Sequence, residues 1–267
     1  MVSVHPTAVV EKGAGLAEGV VIGPFCVVSG QAVIGAGTIL ANNVTLAGSV
    51  SLGAGNRVYP YAVVGGDPQD VRYAGSASRV VVGDRNVIRE HVTVSRGTDK
   101  ESGDTVIGNG NYLMAACHVA HDCVIGDHVV LANGVLLGGH VRVHSHASLS
   151  GGVAVHHWVT IGSWSFVAGL SRVLHDVPPF MLSEGMPAWP RCINSVGLQR
   201  GGFSQMVIGA IGESYRLLFR AKVGVDSARE VLASQEMLLP DVVCLLDFVS
   251  RQQSGWHGRG REQRRAA

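Results

Sequence analysis

Charge is scarce in this sequence: 15% of its 267 residues are Asp, Glu, Lys or Arg, against roughly 25% in ordinary soluble domains. The formal net charge is +1, so no broad field of one sign is present to hold nucleic acid, although Arg259 to Arg265 form a locally basic tail that reads as a solvated end. Aromatic residues are sparse too, at 6%. The five cysteines, Cys26, Cys117, Cys123, Cys192 and Cys244, contain no CxxC pair and are odd in number. That argues against a disulfide framework and for buried thiols in a reducing cytosol. No apolar run reaches the ~18 residues of a membrane span. The opening MVSVHPTAVVEKG lacks the basic and apolar segments of a secretion signal. The expectation is a cytoplasmic protein with no membrane-spanning segment and no nucleic-acid partner.

What is abundant is glycine, with 36 residues, about twice the usual share. The excess falls far short of the one in three that collagen needs, and 46% hydrophobic residues exclude disorder. A strict period explains it better. Every sixth residue from Val4 is aliphatic: Val10, Leu16, Ile22, Val28, Ile34 and onward through Leu40, Leu46, Leu52, Val58 and Val64. The register restarts at Val82, Ile88 and Val94, and again at Ile107, from which it runs unbroken to Val173. Neither a helix of period 3.6 nor an alternating strand of period 2 produces a repeat of six. A prism whose flat sides are hexads does, with one aliphatic side chain inward per side and three sides per coil. Glycine or asparagine after the aliphatic residue, as in IGAG, LGAG and LANG, is then expected to make the corners, where the backbone bends unusually.

Two insertions interrupt the hexads, near 65–81 and 95–106, and in a solenoid such segments leave the stack as loops on one side. The first carries Asp67, Gln69, Asp70, Arg72 and Tyr73. Past Val173 the hexads stop at DVPPF, where Pro178 and Pro179 end the strand pattern. Residues 1–190 are thus expected to form the prism and 191–267 a small α-helical domain. In the latter Val207, Ile211, Tyr215 and Leu218 share one helix face, and Asp226 and Asp241 are placed as caps of later helices.

Eight of the twelve histidines lie between His118 and His157. His128, His144 and His146 take outward hexad positions and are expected on the surface. His118, His121, His140 and His156 fall within four positions of one another once whole coils of eighteen are subtracted, which places them near one corner on successive coils. They are either a ladder satisfied by backbone carbonyls or a reactive groove. A neutral imidazole is a suitable base for an alcohol at neutral pH. Asp122 adjoins His121, and Cys117 and Cys123 flank the pair, so a cysteine nucleophile is also conceivable.

The motifs VHPTAVVEKGA, IGPFCVV, PQDVRYAG, GDRNVIRE, RGT, HVAHDCVIGD, LGGHV, AVHH, DVPPF and GFS together make the chain similar to the hexapeptide-repeat acyltransferases. Within them it resembles the acyl-carrier-protein-dependent UDP-N-acetylglucosamine O-acyltransferases that begin lipid A synthesis. The resemblance implies a mainly β fold, a left-handed parallel β-helix followed by a small α-helical C-terminal domain, assembled as a homotrimer with active sites between neighbouring prisms. It assigns His121 as general base, with Asp122 beside it, and the Gly139 amide as oxyanion donor. Gln69, Asp70, Arg72, His118, His140 and His156 are substrate-contacting by the same resemblance, Asn194 and Arg200 contact the nucleotide, and Gly169 sets acyl-chain length. Acyl carrier protein and a UDP-sugar are the implied partners, with no cofactor and no metal, and no serine or cysteine nucleophile is required because a thioester is already activated.

Several positions depart from the family pattern. Arg72 stands where a lysine is usual, Ser95 precedes RGT where a histidine is common, Val196 replaces an acidic residue, and Gly201 replaces a second arginine. Three other readings stay open at this point: the same chemistry on a 3-amino UDP-sugar, a zinc enzyme like the γ-carbonic anhydrases, and a non-catalytic solenoid.

Overall fold

The computed structural model describes residues 1–255, and the basic tail Arg259–Arg265 lies outside them. Two-residue strands recur every six residues and stack into three parallel ladders, forming a left-handed β-helix. One ladder runs from Ser3–Val4 to Phe166–Val167, the second from Val9–Val10 to Arg172–Val173, and the third from Gly15–Leu16 to Thr160–Ile161. Each short strand supplies one outward and one inward residue, so Val21 is half-exposed while Ile22 beside it is buried, opposite Val4 and Leu40 of the adjoining coils. The inward aliphatics from Ile22 to Val173 are all buried in one continuous core. Val4 is 42% exposed, because the first coil leaves that end of the prism open.

Leu131 is fully buried midway along this column. Its replacement by alanine is expected to cost about 2–5 kcal/mol in urea unfolding, the usual range for a buried leucine. Val4→Ala, at the open end, should cost under about 1 kcal/mol.

Glycine does not mainly serve the corners. A left-handed backbone recurs three residues after most inward aliphatics, and in the second half of the prism most such positions hold residues other than glycine: Asp122, His128, His140, His146, Trp158 and Trp164 all have φ between 55° and 68°. Gly35, Gly53, Gly83 and Gly108 instead follow the inward residue directly with ordinary φ. There a Cβ would lie 2.2–2.4 Å from atoms of the next coil. Close stacking of coils, more than bending, requires them.

Both excursions leave between the second and third ladders. Val58 pairs with Ile88, thirty residues on instead of eighteen, and Ile88 pairs with Leu113, twenty-five on. The strands Arg79–Val82 and Asp104–Ile107 that follow the excursions are four residues long and pair directly with each other. The prolines do not end the sheet: Met181–Gly185 adds a further parallel rung beside Phe166–Val167 and folds back as a hairpin with Ala188–Ile193.

Four helices follow among the described residues: α1 (Ser195–Arg200), α2 (Gln205–Tyr215, continued by a π turn over Arg216–Arg220), α3 (Val225–Ser234) and α4 (Pro240–Gln253). Ile211 is buried in their core, with Val207, Tyr215 and Leu218 packed against it. Asp226 and Asp241 lie in the first turns of α3 and α4 and are not caps; Gly224 and Leu239 hold those positions. The carboxylates there face the positive end of the helix dipole instead.

Candidate active site

The residues 122, 140 and 158 are successive occupants of one corner, eighteen apart, between the second and third ladders. All three adopt the left-handed conformation, which turns their side chains along the prism edge. Asp122, His140 and Trp158 therefore form a column. The Trp158 indole stacks on His140 at 4.0 Å with planes 5° apart, and His121 meets His140 edge-on at 5.1 Å.

Asp122 is buried and turns towards the second excursion, away from solvent. Its Oδ1 accepts the Thr98 N–H at 2.8 Å, and its Oδ2 accepts the Thr98 hydroxyl at 2.7 Å. The same Oδ2 lies 2.8 Å from His121 Nδ1 and 3.8 Å from His140 Nδ1. Burial raises the Asp122 carboxyl, but the bonds from His121 and Thr98 and the nearby His140 outweigh it, leaving the group below its ordinary value. An ionised carboxylate only accepts. His121 Nδ1 therefore carries a hydrogen, and in the neutral ring Nε2 keeps its lone pair, the tautomer a general base needs.

The His121 ring lies over Gly139, where a Cβ would stand 2.6 Å from Cε1 and 2.8 Å from Nε2. His118 is on the adjoining strand, its Nδ1 2.8 Å from the Thr93 hydroxyl. Burial, and to a lesser degree His121, hold it below its ordinary value. His156 sits on the second ladder's side of the same edge, its Nδ1 3.2 Å from the His157 carbonyl. The column thus brings His121, Asp122, His140 and Gly139 together, with His118 beside them.

The excursions are tied to each other and to this corner. Lys100 pairs with Asp70 and, with the Arg72 N–H, holds that carboxyl down to about 2. Arg96 pairs with Asp67 and reaches Tyr73 at 3.3 Å. Glu101 lies 3.3 Å from His140 Nδ1 and 3.6 Å from Arg142. Gln69 and Arg72 are exposed at the loop surface. Thr98, Lys100, Glu101 and Trp158 escaped the sequence reading. Trp158 was signalled by its offset of eighteen from His140, whereas the loop residues follow no period.

His121, Asp122 and His140 are the one set among the described residues whose ligand atoms gather within 4.8 Å. Both Asp122 oxygens already accept protein donors, which suits an oriented acid–base pair. The cysteines offer no nucleophile here: burial pushes the Cys117 thiol up to about 11 and Cys123 to about 12. Contrary to expectation Cys192 and Cys244 are exposed.

A second concavity lies one corner away, between the third and first ladders. It is a cleft of about 560 Å³ lined by His128, His146, Trp164, Asn194, Val196 and Arg200 among others. His146 and His144 are half-buried, not surface residues, because the hairpin and helices fold over this corner; His146 stacks between His128 and Trp164. One face of the prism separates Asn194 and Arg200 from His121 within a chain.

Hexapeptide-repeat transferase profiles match residues 13–48 and 104–139, and the profile of UDP-N-acetylglucosamine O-acyltransferase domain 2 matches 176–258. The acyl-carrier-protein UDP-N-acetylglucosamine O-acyltransferase of Halorhodospira halophila is 45% identical over 96% of this chain and 99% of its own. That of Paraburkholderia phymatum is 44% identical over the same shares. The chain belongs to the acyl-carrier-protein-dependent UDP-N-acetylglucosamine O-acyltransferases. The solved UDP-N-acetylglucosamine acyltransferase of Bacteroides fragilis superposes with a TM-score of 0.91 at 31% identity, covering 96% of this chain and 98% of that one. The enzyme of Arabidopsis does so at 0.83 and 31%, covering 98% and 99%.

Membership of this acyltransferase family bears on the departures at the cleft. Gly201 lies against Trp164, where a Cβ would be 2.5 Å from Cζ3 and Cη2 of the indole. No arginine fits at 201 while Trp164 keeps this position. Asn194 caps α1 through the Gly197 N–H and donates to the Trp164 carbonyl at 2.9 Å, so part of its hydrogen-bonding capacity is already used.

Proposed function

We propose that this enzyme transfers an (R)-3-hydroxyacyl group from the thioester of acyl carrier protein to the 3-hydroxyl of UDP-N-acetylglucosamine, the first step of lipid A synthesis. The observation that carries the assignment of roles is the Asp122–His121 pair, with the imidazole over Gly139. His121 Nε2 takes the proton of the sugar hydroxyl as its oxygen attacks the thioester carbonyl, and the tetrahedral oxyanion is met by the Gly139 N–H. Collapse breaks the C–S bond, and the imidazolium returns its proton to the departing thiolate. Asp122 stays ionised throughout and balances the charge on the ring.

Asp70 and Gln69, with Arg72, His118, His140 and His156, contact the sugar. The outward row Thr93, His118, Leu136, Ala154, Arg172 on the second ladder supports the donor path. It places a 51% exposed leucine on the rung next to His118 and an exposed arginine two rungs further along, suited to an acyl chain and an acidic carrier. Gly169 lies at the far corner of that face. A Cβ there would make only ordinary contacts, 3.4 Å to the Gly151 carbonyl, so it leaves room for a longer chain. Asn194 and Arg200 serve the nucleotide from a neighbouring copy in a homotrimer, a reading supported by their placement one corner away from His121. Among the described residues no helix is long and apolar enough to cross a membrane, which fits work in the cytosol.

Incubating the enzyme with radiolabelled UDP-N-acetylglucosamine and 3-hydroxyacyl carrier proteins of graded length tests the proposal. An ester product is expected; burial alone changes affinity by only about 0.8 kcal/mol per methylene, a gradual dependence, so an abrupt fall in rate beyond one length would mark a wall in the groove. No acylated sugar from any donor would overturn it.

A further inference from the structure

We propose that Thr98, in the second excursion, is a positioning residue for acyl transfer, fixing the Asp122 carboxylate and through it the tautomer and aim of His121. It rests on the assignment of His121 as the base. Thr98 is itself buried, and it donates to both oxygens of Asp122, at 2.8 Å from its N–H and 2.7 Å from its hydroxyl. Two donors from one residue fix the plane of the carboxylate. The hydroxyl is itself directed: it accepts the Lys100 N–H at 3.3 Å, so its own hydrogen turns to Oδ2. The Asp122 N–H is held in turn by Thr105 Oγ1 at 2.9 Å. Without these bonds the carboxylate, on a left-handed backbone with φ of 59°, would have only the two imidazoles to orient it.

The placement has a second consequence. Every other member of the corner column belongs to the coils, whereas Thr98 comes from a loop that is moored to the first excursion by Lys100 and to His140 by Glu101. The aim of the base therefore depends on a segment that also holds Asp70. The charged and titratable groups around His121 are Asp122, the edge-on His140, and His118 on the adjoining strand, with Glu101 facing His140 from the loop.

Thr98→Val keeps the shape and the N–H and removes the hydroxyl. It is expected to lower kcat about 10- to 100-fold, the range typical of outer partners that orient an imidazole, with the KM for the UDP-sugar changed less than about threefold. Taking the hydroxyl hydrogen from Oδ2 leaves more negative charge facing Nδ1, which favours imidazolium. The acid limb of the kcat profile should therefore move to higher pH. Thr98→Ser should restore both rate and limb, and Thr98→Ala, which also keeps the N–H bond, carries the same expectation as valine should that variant prove unstable. Wild-type kcat and an unmoved limb in the valine or alanine variant would overturn the proposal, as would valine and serine variants equally slow with an unmoved limb, the mark of a packing role. His121→Ala assayed alongside separates the two levels: full activity there overturns the base assignment, whereas an inactive His121→Ala beside an unaffected Thr98→Val overturns only the role of Thr98.

Discussion

Replacing His121 by alanine is expected to lower kcat by about 10²- to 10⁴-fold, the contribution of a positioned general base, while the KM for the UDP-sugar changes less than about threefold. A sugar hydroxyl is a poor nucleophile until its proton is taken, and His121 is the imidazole at this corner whose Nδ1 is held by the Asp122 carboxylate at 2.8 Å, whereas His140 lies stacked on Trp158 with its Nδ1 towards Glu101. His118 is held towards its neutral form, but its Nδ1 bonds to the Thr93 hydroxyl, a neutral partner, where His121 has a carboxylate. Cys117 and Cys123 are buried thiols, raised to about 11 and about 12. Asp122 is saturated with donors and too weakly basic once held below its ordinary value. The decisive measurement is single-turnover transfer of labelled acyl groups by the variant, with circular dichroism to confirm that the prism persists. A rate within about tenfold of wild type would remove His121 from the mechanism, because a base contributes at least about 10²-fold.

The legible part of the molecule was whatever obeyed the period. An inward aliphatic at every sixth position has one physical solution, and each such residue from Ile22 to Val173 is buried as the period requires. The coil of eighteen also brings His121 and His140 to one corner. The same arithmetic marks Trp158, since 122, 140 and 158 form one column, but a tryptophan reads as core until its partner on the next coil is considered. Other features depend on contacts that no period encodes. Thr98 meets Asp122 across 24 positions of sequence because a loop folds back, and its course is set by side-chain pairing such as Lys100 with Asp70. Gly35 and Gly53 look like corner glycines, yet they are required by the next coil's backbone. His146 looked outward, but the helices that cover it are themselves placed by a hairpin that continues past two prolines. Local chemistry specified the prism; the site was completed by the segments that break the repeat.

Gly139→Ala should then be nearly as damaging as loss of His121 itself, lowering kcat by about 10²-fold or more, although it adds a single methyl. The backbone at 139 has an ordinary φ, so alanine is not strained there, and the N–H proposed for the oxyanion remains in place. What the methyl cannot do is share space with the imidazole, whose Cε1 and Nε2 would be 2.6 Å and 2.8 Å away. Distances so short cannot be relieved by a small adjustment of the ring, since His121 Nδ1 is held to Asp122 and its edge packs on His140. The ring must swing out, breaking the bond that fixes its tautomer. The two substitutions then remove one function, so the double variant should be no slower than His121→Ala alone, a coupling that independent sites do not show. Thermal unfolding of Gly139→Ala should stay within a few degrees of wild type, because a shift of that size corresponds to about 1 kcal/mol or less. A double variant slower by the product of the two single effects would instead show that the methyl at 139 acts independently of the base, and would overturn the displacement of His121 as its cause.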